Sequence, residues 1–387
     1  MDGCNNQVFK PSDDIYCEMN VRDLIRKDIS DIPDTVHGGQ AWKLENVEDF
    51  SHNLNPLGPP ECLSEIIAAA VSGVGHYPDD SSSELKEALS EHFAVDTCSI
   101  IAGAGSSDII RMFPDTFLEK GDKALIMRPS FAEYSHQCRI AGASVHELFL
   151  KESNGLRIDT DELLENAKDV KAVYICNPNN PTGRIEPREK ILKIVKECSD
   201  RNILIFLDET LLELVPSYRE VSCSGYVKKF DNLIVTGSLT KSFAIPGIRV
   251  GFGFADENII NAMDKVRMTW NVGHIEQRVA VSLIRDHTYH VKKAADMMHS
   301  ETKYMHRKLN ETGFRTDMTD SFFFFNSLRG MSVREFKHSM LRERIMIRDC
   351  GSFGREFTDY IRFCVKDRIR NDMFLDSVKK VTDGKVN

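Results

Sequence analysis

Seven short apolar runs recur between Ser99 and Ala255, and most of them are separated by amphipathic, charged stretches. The runs are SIIAGAG, DKALIM, SVHELFL, KAVYIC, NILIFLD, NLIVTG and RVGFGFA. Uninterrupted apolar strands that alternate with helices are typical of a largely parallel sheet buried on both faces. Ligands of such sheets bind beyond the carboxyl ends of the strands, so the residues that follow these runs are candidates for a functional site.

After about Gln277 the pattern changes to long helical stretches with few strands. The segment that ends near Gly313 predicts one or two long helices, and short strand-like runs and further helices follow it. This favours a smaller α+β domain packed on the first. We therefore predict an α/β fold in three parts: residues 1–53 as an N-terminal arm and part of the small domain, 54–285 as the large domain, and 286–387 as the small C-terminal domain.

Composition excludes several classes of protein. The net charge of −9 over 387 residues argues against a general nucleic-acid binder, because such proteins are usually basic. No apolar run approaches the roughly 18 residues of a membrane-spanning helix, and the polar start of the chain does not resemble a secretory signal. Ten cysteines without a C-x-x-C motif favour reduced thiols over a disulfide frame or a zinc site. We expect a cytoplasmic protein with no resident metal and no membrane partner.

The run SLTKSFAIPGIRVGFG, from Ser238 to Gly253, carries one lysine just after a predicted strand. The hydroxyl of Ser238 lies three residues before Lys241, and Arg249 lies eight residues after it. A desolvated lysine has a lowered pKa and is a nucleophile toward carbonyl groups, and an arginine with a hydroxyl suits a phosphate dianion. Taken alone, the run is also compatible with a surface lysine and an ion-paired arginine.

Two further motifs follow predicted strands. Asp208 ends the strand NILIFLD, and a carboxylate buried there needs a partner, such as the ring N–H⁺ of pyridoxal phosphate. That pair would keep the ring protonated as an electron sink, although an N-cap of a helix is the alternative role. The turn NPNNPTG follows the strand KAVYIC, and Asn180 in that turn is placed to offer its amide to the oxygen of the same ring.

The segment GAGSSDIIRMF indicates a phosphate site at the start of a helix. Gly103 and Gly105 follow a strand, and Ser106 and Ser107 open the helix, where free N–H groups and the helix dipole attract anions. Phe131 in RPSFAEY also follows a strand and could stack on a flat ring, or it could be an ordinary core residue.

Two arginines in the C-terminal part lie in apolar, strand-like runs. They are Arg348 in IMIRDC and Arg362 in DYIRFCV. An arginine in an apolar run should be paired, and a substrate anion is one possible partner. Ordinary surface ion pairing is the other interpretation of each residue.

Together and in this order, GAGSSD, NPNNPTG, LDE, SLTKSFAIPGIRVGF and IRF resemble the fold type I pyridoxal-phosphate enzymes. The resemblance is to the branch that holds histidinol-phosphate aminotransferases and threonine-phosphate decarboxylases, and it runs from about His37 to the C-terminus. It implies a large domain with a mostly parallel seven-stranded sheet, pyridoxal 5'-phosphate as the cofactor, and a homodimer.

The resemblance also implies a role for each candidate residue. Lys241 would bind the cofactor covalently, and Asp208 would face the ring nitrogen. The remaining cofactor contacts would be Asn180 at the ring oxygen, Phe131 on the ring face, and Ser106, Ser107, Ser238 and Arg249 at the phosphate. Tyr77 in HYPD matches a tyrosine that reaches the phosphate in the neighbouring subunit. Apart from the resemblance, we predict a substrate with two anions, a carboxylate and a phosphate, that bind to Arg348, Arg362, His37 and Asn55.

Three segments favour the decarboxylases within this branch: HGGQ at 37–40, SHNLNPLGPP at 51–60, and IRDC followed by SFG. Leu211 also stands where many aminotransferases of the family carry a tyrosine that contacts the ring oxygen. The resemblance therefore implies decarboxylation of O-phospho-L-threonine to (R)-1-amino-2-propanol O-phosphate and CO2, for assembly of the cobalamin nucleotide loop. The alternative is a histidinol-phosphate aminotransferase, or an aminotransferase of a related phospho-amino acid.

Overall fold

The structure, a computed structural model, describes residues 20–32 and 41–383. The strands are β1 Glu48–Asp49, β2 Ile100–Gly103, β3 Lys123–Arg128, β4 Ser144–Phe149, β5 Ala172–Cys176, β6 Leu204–Asp208, β7 Leu233–Ser238, β8 Gly251–Phe254, β9 Phe323–Ser327, β10 Ile345–Met346, β11 Arg348–Asp349 and β12 Tyr360–Cys364. The α-helices are α1 Lys27–Ser30, α2 Leu63–Ala70, α3 Ser83–Phe93, α4 Ser106–Phe117, α5 Ala132–Ile140, α6 Thr160–Asn166, α7 Arg188–Ser199, α8 Tyr218–Val221, α9 Leu239–Ser242, α10 Glu257–Asp264, α11 His274–Asp286, α12 Thr288–Glu311, α13 Val333–Arg342 and α14 Arg368–Asp383.

The large sheet has seven strands in the order β2-β8-β7-β6-β5-β3-β4. Only β8 runs antiparallel to its neighbours, so the predicted mostly parallel seven-stranded sheet is confirmed. Every residue of β2, β7 and β8 is buried, as the uninterrupted apolar runs indicate. The edge strand β4 is half-exposed along its length.

Helices cover both faces of this sheet. One hydrophobic cluster joins the sheet to α3, α7, α11 and α12, and it includes Leu85, Ile191 and Val279. A second cluster on the other face joins it to α4, α5 and α10, and it includes Ile109 and Tyr134. The sheet therefore lies at the centre of three layers, and its polar edge is left for ligands.

A second, smaller sheet is antiparallel and has the order β11-β12-β9. It builds a third hydrophobic cluster with α12, α13 and α14, and Phe50 from the N-terminal part of the chain belongs to that cluster. The two-residue strands β1 and β10 pair in parallel as a separate two-stranded sheet and tie this N-terminal part to the C-terminal part of the chain. The predicted domain boundaries, at 53/54 and 285/286, stay a prediction. Within residues 20–32 and 41–383, no helix has the length and apolarity needed to cross a membrane.

The start of β8 packs directly on the turn between β2 and α4. A Cβ atom at Gly251 would lie 2.2 Å from the backbone carbon of Gly105 and 2.2 Å from the nitrogen of Ser106. Real Cβ atoms do not approach backbone so closely, so only glycine fits at the first residue of β8. The shape of the Gly105–Ser106 turn thus depends on a glycine in another strand.

Gly251→Ala should therefore lower the free energy of unfolding by about 2 kcal/mol, because overpacking of a rigid backbone contact costs roughly 1–3 kcal/mol. The matched control is Gly247→Ala, since a Cβ there meets no atom within 4 Å. Urea unfolding followed by circular dichroism compares the two variants. Equal transition midpoints would show that the contact does not constrain the fold.

Candidate active site

The register of the large sheet brings several predicted site residues to one edge. Gly103, at the end of β2, and Ser238, at the end of β7, both pair with Gly251 of β8. Asp208, at the end of β6, pairs with Cys176, at the end of β5. The turns that follow these strands therefore open on a common cleft, where the sequence predicts the site.

Lys241 lies in the one-turn helix α9, immediately after β7, and its side chain is half-buried. Burial lowers the pKa of this amine to about 8, and the positive charges of Arg362 and Arg249 act in the same direction. The charge of Asp208 opposes the shift. Near pH 8 about half of the Lys241 side chains are therefore neutral, which is the nucleophilic form of an amine.

Asp208 is almost fully buried, with 6% of its surface exposed. Its Oδ1 accepts a hydrogen bond of 2.8 Å from the backbone N–H of Thr210, and its Oδ2 accepts one of 2.6 Å from the phenol of Tyr134. Burial raises the pKa of the carboxyl, and these two hydrogen bonds partly offset that effect. The sequence reasoning missed Tyr134, because its contact with Asp208 depends on how α5 packs against the end of β6 and not on spacing along the chain.

The turn at Gly105 and the first residues of α4 form a concave surface beside Arg249. Gly105 has a φ of 84°, and a Cβ there would lie 2.4 Å from Nη2 of Arg249. The same Nη2 donates to the hydroxyl of Ser107 at 3.3 Å, and Ser106 is half-buried at the N-terminus of the helix. Arginine, hydroxyls and free helix N–H groups together suit a phosphate dianion.

Ser238 faces a different set of groups. Its buried hydroxyl donates to the carbonyl of Val250 at 2.9 Å and accepts from the N–H of Thr240 at 3.2 Å. It therefore caps α9, which carries Lys241, and links that helix to the strand that follows Arg249. Its predicted contact with the cofactor phosphate stays a prediction.

Arg362 is buried and links the two sheets. Its guanidinium donates to the side-chain oxygen of Asn180 and to the backbone carbonyl of Ser51. Burial lowers its pKa to about 10, and the nearby charge of Arg348 contributes to the shift. The structure thus brings together Asn180 from the NPNNPTG turn and Arg362 from the C-terminal strand, which lie 182 residues apart in the sequence.

Arg348 lies directly opposite Arg362, since the two are Cα partners in the antiparallel pair of β11 and β12. Directly opposed residues of an antiparallel pair project from the same face of the sheet, so both guanidinium groups lie on the same side. Arg348 is half-buried, which lowers its pKa, and its Nη2 donates to the hydroxyl of Ser352 at 2.8 Å. Two cations on one face favour an anionic ligand there.

Asn55 supports the lysine helix. Its backbone N–H donates to the carbonyl of Lys241 at 3.0 Å, and its side-chain amide donates to the carbonyl of Ser242 at 2.8 Å. Its side-chain oxygen accepts from Leu57 N–H, so both ends of the amide are engaged. Its predicted contact with substrate stays a prediction, whereas the neighbouring Asn53, which the sequence reasoning did not single out, has a buried amide with no hydrogen-bond partner.

The predicted cofactor contacts of Phe131 and Tyr77 stay predictions. Phe131 is half-buried at the start of α5, with its ring edge-on to Tyr134 at 5.7 Å. Tyr77 is 71% exposed and stacks on Trp270 with ring centroids 4.1 Å apart. His37 and the HGGQ segment lie outside the described residues.

Comparison with known proteins decides the family. Residues 45–378 match the family described as aminotransferase class I and II. The chain belongs to this family. A protein of Caldanaerobacter subterraneus subsp. tengcongensis, provisionally named threonine-phosphate decarboxylase, is 31% identical over 89% of this chain and 93% of its own.

Two solved structures show the same fold. The histidinol-phosphate aminotransferase of Clostridium acetobutylicum superposes with a TM-score of 0.81 and 29% identity, covering 87% of this chain and 99% of that one. The histidinol-phosphate aminotransferase of Sinorhizobium meliloti, in complex with pyridoxal-5'-phosphate, has a TM-score of 0.83 over 97% of this chain and 100% of that one. At 18% identity the latter likeness concerns the fold alone.

As a member of this family the protein is a pyridoxal-phosphate-dependent enzyme. The residues of the site fit that cofactor. The Gly105 turn with Arg249 provides a phosphate cradle that a Cβ would fill, and Lys241 provides the amine for a carbonyl. In the described part of the chain, buried polar atoms without partners include those of Asn53, Ser130, Thr210, Ser242 and Arg362, which lie in or next to the segments of the site.

The lowered pKa of Lys241 predicts its reactivity in cofactor-free protein. Labelling with acetic anhydride at increasing pH, followed by peptide mass spectrometry, should give a midpoint near pH 8 for Lys241, because only the neutral amine reacts. Lys196 is the internal control, since the carboxylate of Asp200 raises its pKa above the ordinary 10.5. If Lys241 titrated together with Lys196, burial and the two arginines would not control the pKa of the Lys241 amine.

Proposed function

We propose that this protein is a cytoplasmic enzyme that decarboxylates O-phospho-L-threonine to (R)-1-amino-2-propanol O-phosphate and CO2, for assembly of the cobalamin nucleotide loop. The observation that carries the proposal is the cross-strand pair of Arg348 and Arg362 on one face of the small sheet. Like charges placed directly opposite each other are unfavourable, and a bound anion relieves that repulsion. A phosphorylated amino acid supplies two anions, a carboxylate and a phosphate.

The cofactor would be held by residues from several strand ends. Bound pyridoxal phosphate supplies an aldehyde for the substrate amine and a ring that accepts the electron pair of a broken bond at Cα. Asp208 would bind the ring nitrogen, and Lys241 would form the covalent link. The other proposed contacts are Asn180 at the ring oxygen, Phe131 at the ring face, and Ser106, Ser107, Ser238 and Arg249 at the phosphate.

Substrate orientation would fall to the arginines. Arg362 is held by Asn180 and Ser51, so its guanidinium has a fixed orientation in which to receive one anion. With Arg348 beside it, the two would hold the phosphate and the carboxylate, His37 and Asn55 also contributing. The positions of these two anions would decide which bond at Cα is broken. After CO2 loss, Lys241 Nζ, with a pKa of about 8, would deliver a proton to Cα.

The same residues would also support amino transfer, so a histidinol-phosphate aminotransferase is the second candidate. It is favoured by the 29% identity to the solved enzyme of Clostridium acetobutylicum. Decarboxylation is favoured by the relative that is 31% identical, and by Leu211, which is buried where many family aminotransferases carry a tyrosine. Without that phenol the ring oxygen has one contact fewer, and Asn180 remains its proposed partner.

The two candidates predict different products. With O-phospho-L-threonine, purified protein loaded with pyridoxal phosphate should release CO2, measured by a coupled bicarbonate assay. Unphosphorylated L-threonine should be a far poorer substrate, because one of the two anions is missing. With histidinol phosphate and 2-oxoglutarate, glutamate formation should be negligible. Efficient glutamate formation without CO2 release would select the aminotransferase and leave the cofactor site unchanged.

Arg362→Lys tests the proposed anion site in the same assay. Lysine keeps the positive charge but cannot reproduce the planar fork that binds a carboxylate or phosphate through two N–H groups. Loss of such a contact to a buried charge costs roughly 2–5 kcal/mol, so kcat/KM for O-phospho-L-threonine should fall about 30-fold or more. An unchanged kcat/KM would remove Arg362 from the substrate site.

We also propose that the protein is a homodimer in which Tyr77 contributes to the partner's cofactor phosphate. Tyr77 and Trp270 stack on each other at the surface, and further exposed apolar side chains lie at Val71, Val74 and Met268. We call residues 71–77 with 268–270 the apolar surface. An exposed pair of stacked aromatic rings with further exposed apolar side chains in the same two segments is the kind of surface that protein interfaces cover, and it suits an obligate dimer.

A charge placed in this apolar surface should therefore separate the subunits. Met268→Glu is expected to shift sedimentation velocity from dimer to monomer and to weaken cofactor binding, because a charge cannot be buried unpaired. Ile369→Glu is the matched control, because the exposure of Ile369 (76%) is similar to that of Met268 (69%). Ile369 lies in α14, outside the apolar surface. A Met268→Glu variant that sediments like the control would refute the location of the interface.

A further inference from the structure

The hydrogen bond between Tyr134 and Asp208 joins two buried groups. Tyr134 is 1% exposed, and its phenol oxygen lies 2.6 Å from Oδ2 of the carboxylate. This is the length of a charge-assisted O–H···O⁻ hydrogen bond, which is about twice as strong as a neutral one. The N–H of Thr210 binds the other carboxylate oxygen, so both oxygens have a donor from this chain.

The ring of Tyr134 is fixed by its neighbours on both sides. It stacks on Tyr174 with centroids 5.5 Å apart and an interplanar angle of 28°, and it meets the ring of Phe131 edge-on. A ring packed in this way holds its hydroxyl in one direction. The Tyr134 hydroxyl therefore restricts the rotation of the Asp208 carboxylate, because the ring that carries it is itself fixed by packing.

The electrostatic surroundings keep the phenol in its donor form. Burial raises the pKa of Tyr134 well above its usual range, and the charge of Asp208 raises it further. Asp208 itself faces the titratable groups of Cys176 on β5 and Lys241 on α9, with Glu209 next to it in the chain. Burial raises the pKa of Asp208, and the donated hydrogen bonds of Thr210 and Tyr134 lower it.

We propose that Tyr134 is a positioning residue, whose hydroxyl keeps the Asp208 carboxylate ionised and oriented toward the nitrogen of the cofactor ring. This proposal rests on the proposed role of Asp208. It does not depend on the choice between decarboxylation and amino transfer, because both need a protonated ring. The proposed binding site for the ring nitrogen thus depends on Tyr134 of helix α5 as well as on Asp208 at the end of strand β6.

Tyr134→Phe removes one oxygen atom and leaves the stacked ring in place. The matched control is Tyr174→Phe, because Tyr174 is equally buried and belongs to the same stack. Its hydroxyl accepts from the thiol of Cys138 at 3.2 Å and makes no hydrogen bond to Asp208. Each variant is titrated with pyridoxal 5'-phosphate from the cofactor-free state, and each is loaded with ring-¹⁵N-labelled cofactor for NMR.

Tyr134→Phe should raise the dissociation constant of the cofactor about tenfold or more, the usual effect of losing a hydrogen bond to a charged group. The ¹⁵N resonance of the ring should move toward that of neutral pyridine, because a less stabilised carboxylate takes the shared proton. Tyr174→Phe should leave both values as in the unmodified protein. The inference is overturned if Tyr134→Phe and Tyr174→Phe give the same cofactor dissociation constant and the same ¹⁵N resonance. It is equally overturned if both values change alike in the two variants together with the midpoint of urea unfolding.

Asp208→Asn separates this inference from the role of Asp208 itself. It should move the ring resonance to the neutral position, since a neutral amide does not balance the positive charge of a protonated ring nitrogen. If Asp208→Asn moves the resonance and Tyr134→Phe does not, the assignment of Tyr134 is wrong and that of Asp208 holds. If Asp208→Asn leaves the resonance unchanged, both assignments are wrong, while the site for the substrate anions is unaffected.

Discussion

The parallel pairing of β5, β6 and β7 is the constraint on which the site depends. It sets Asp208 level with Cys176, so the turn that follows each strand opens on the same edge of the sheet. The antiparallel strand β8 completes that edge, because Gly251 allows the turn at Gly105 to lie against it. The segments proposed for phosphate binding, ring binding and the covalent link thus lie far apart in the chain and meet at this edge without long loops.

Buried positive charge is the second constraint. Arg362 is buried and Arg348 lies opposite it. Burial, and after it the charges of Arg362 and Arg249, lower the pKa of Lys241 to about 8. Such a cluster is costly unless negative charges balance it. The carboxylates of Asp208, Asp49 and Asp349 supply some of them, and the phosphate of the cofactor and the anions of the substrate would supply others. Binding of the cofactor phosphate and of the substrate anions would therefore stabilise the folded state of this part of the molecule.

The sequence predicted the parts of the fold and site that depend on local pattern. Apolar runs marked all seven strands of the large sheet, and their ends located Lys241 and Asp208. It did not predict contacts that depend on packing between elements. Tyr134 reaches Asp208 from a helix, and the amide of Asn55 turns to the backbone of Ser242. Neither direction is fixed by spacing along the chain, because each is set by which rotamer the neighbouring elements allow.

The coupling between Lys241 and Arg362 has a consequence for catalysis in either candidate reaction. Burial and then the guanidinium charge of Arg362 lower the pKa of the lysine, which favours the nucleophilic amine. A substrate anion bound at Arg362, as we propose, would offset that charge and raise the pKa of Lys241. The same side chain would then hold a proton more strongly at the stage where one must be moved at Cα. In the proposed site, one arginine would thus adjust the pKa of the lysine for two successive steps.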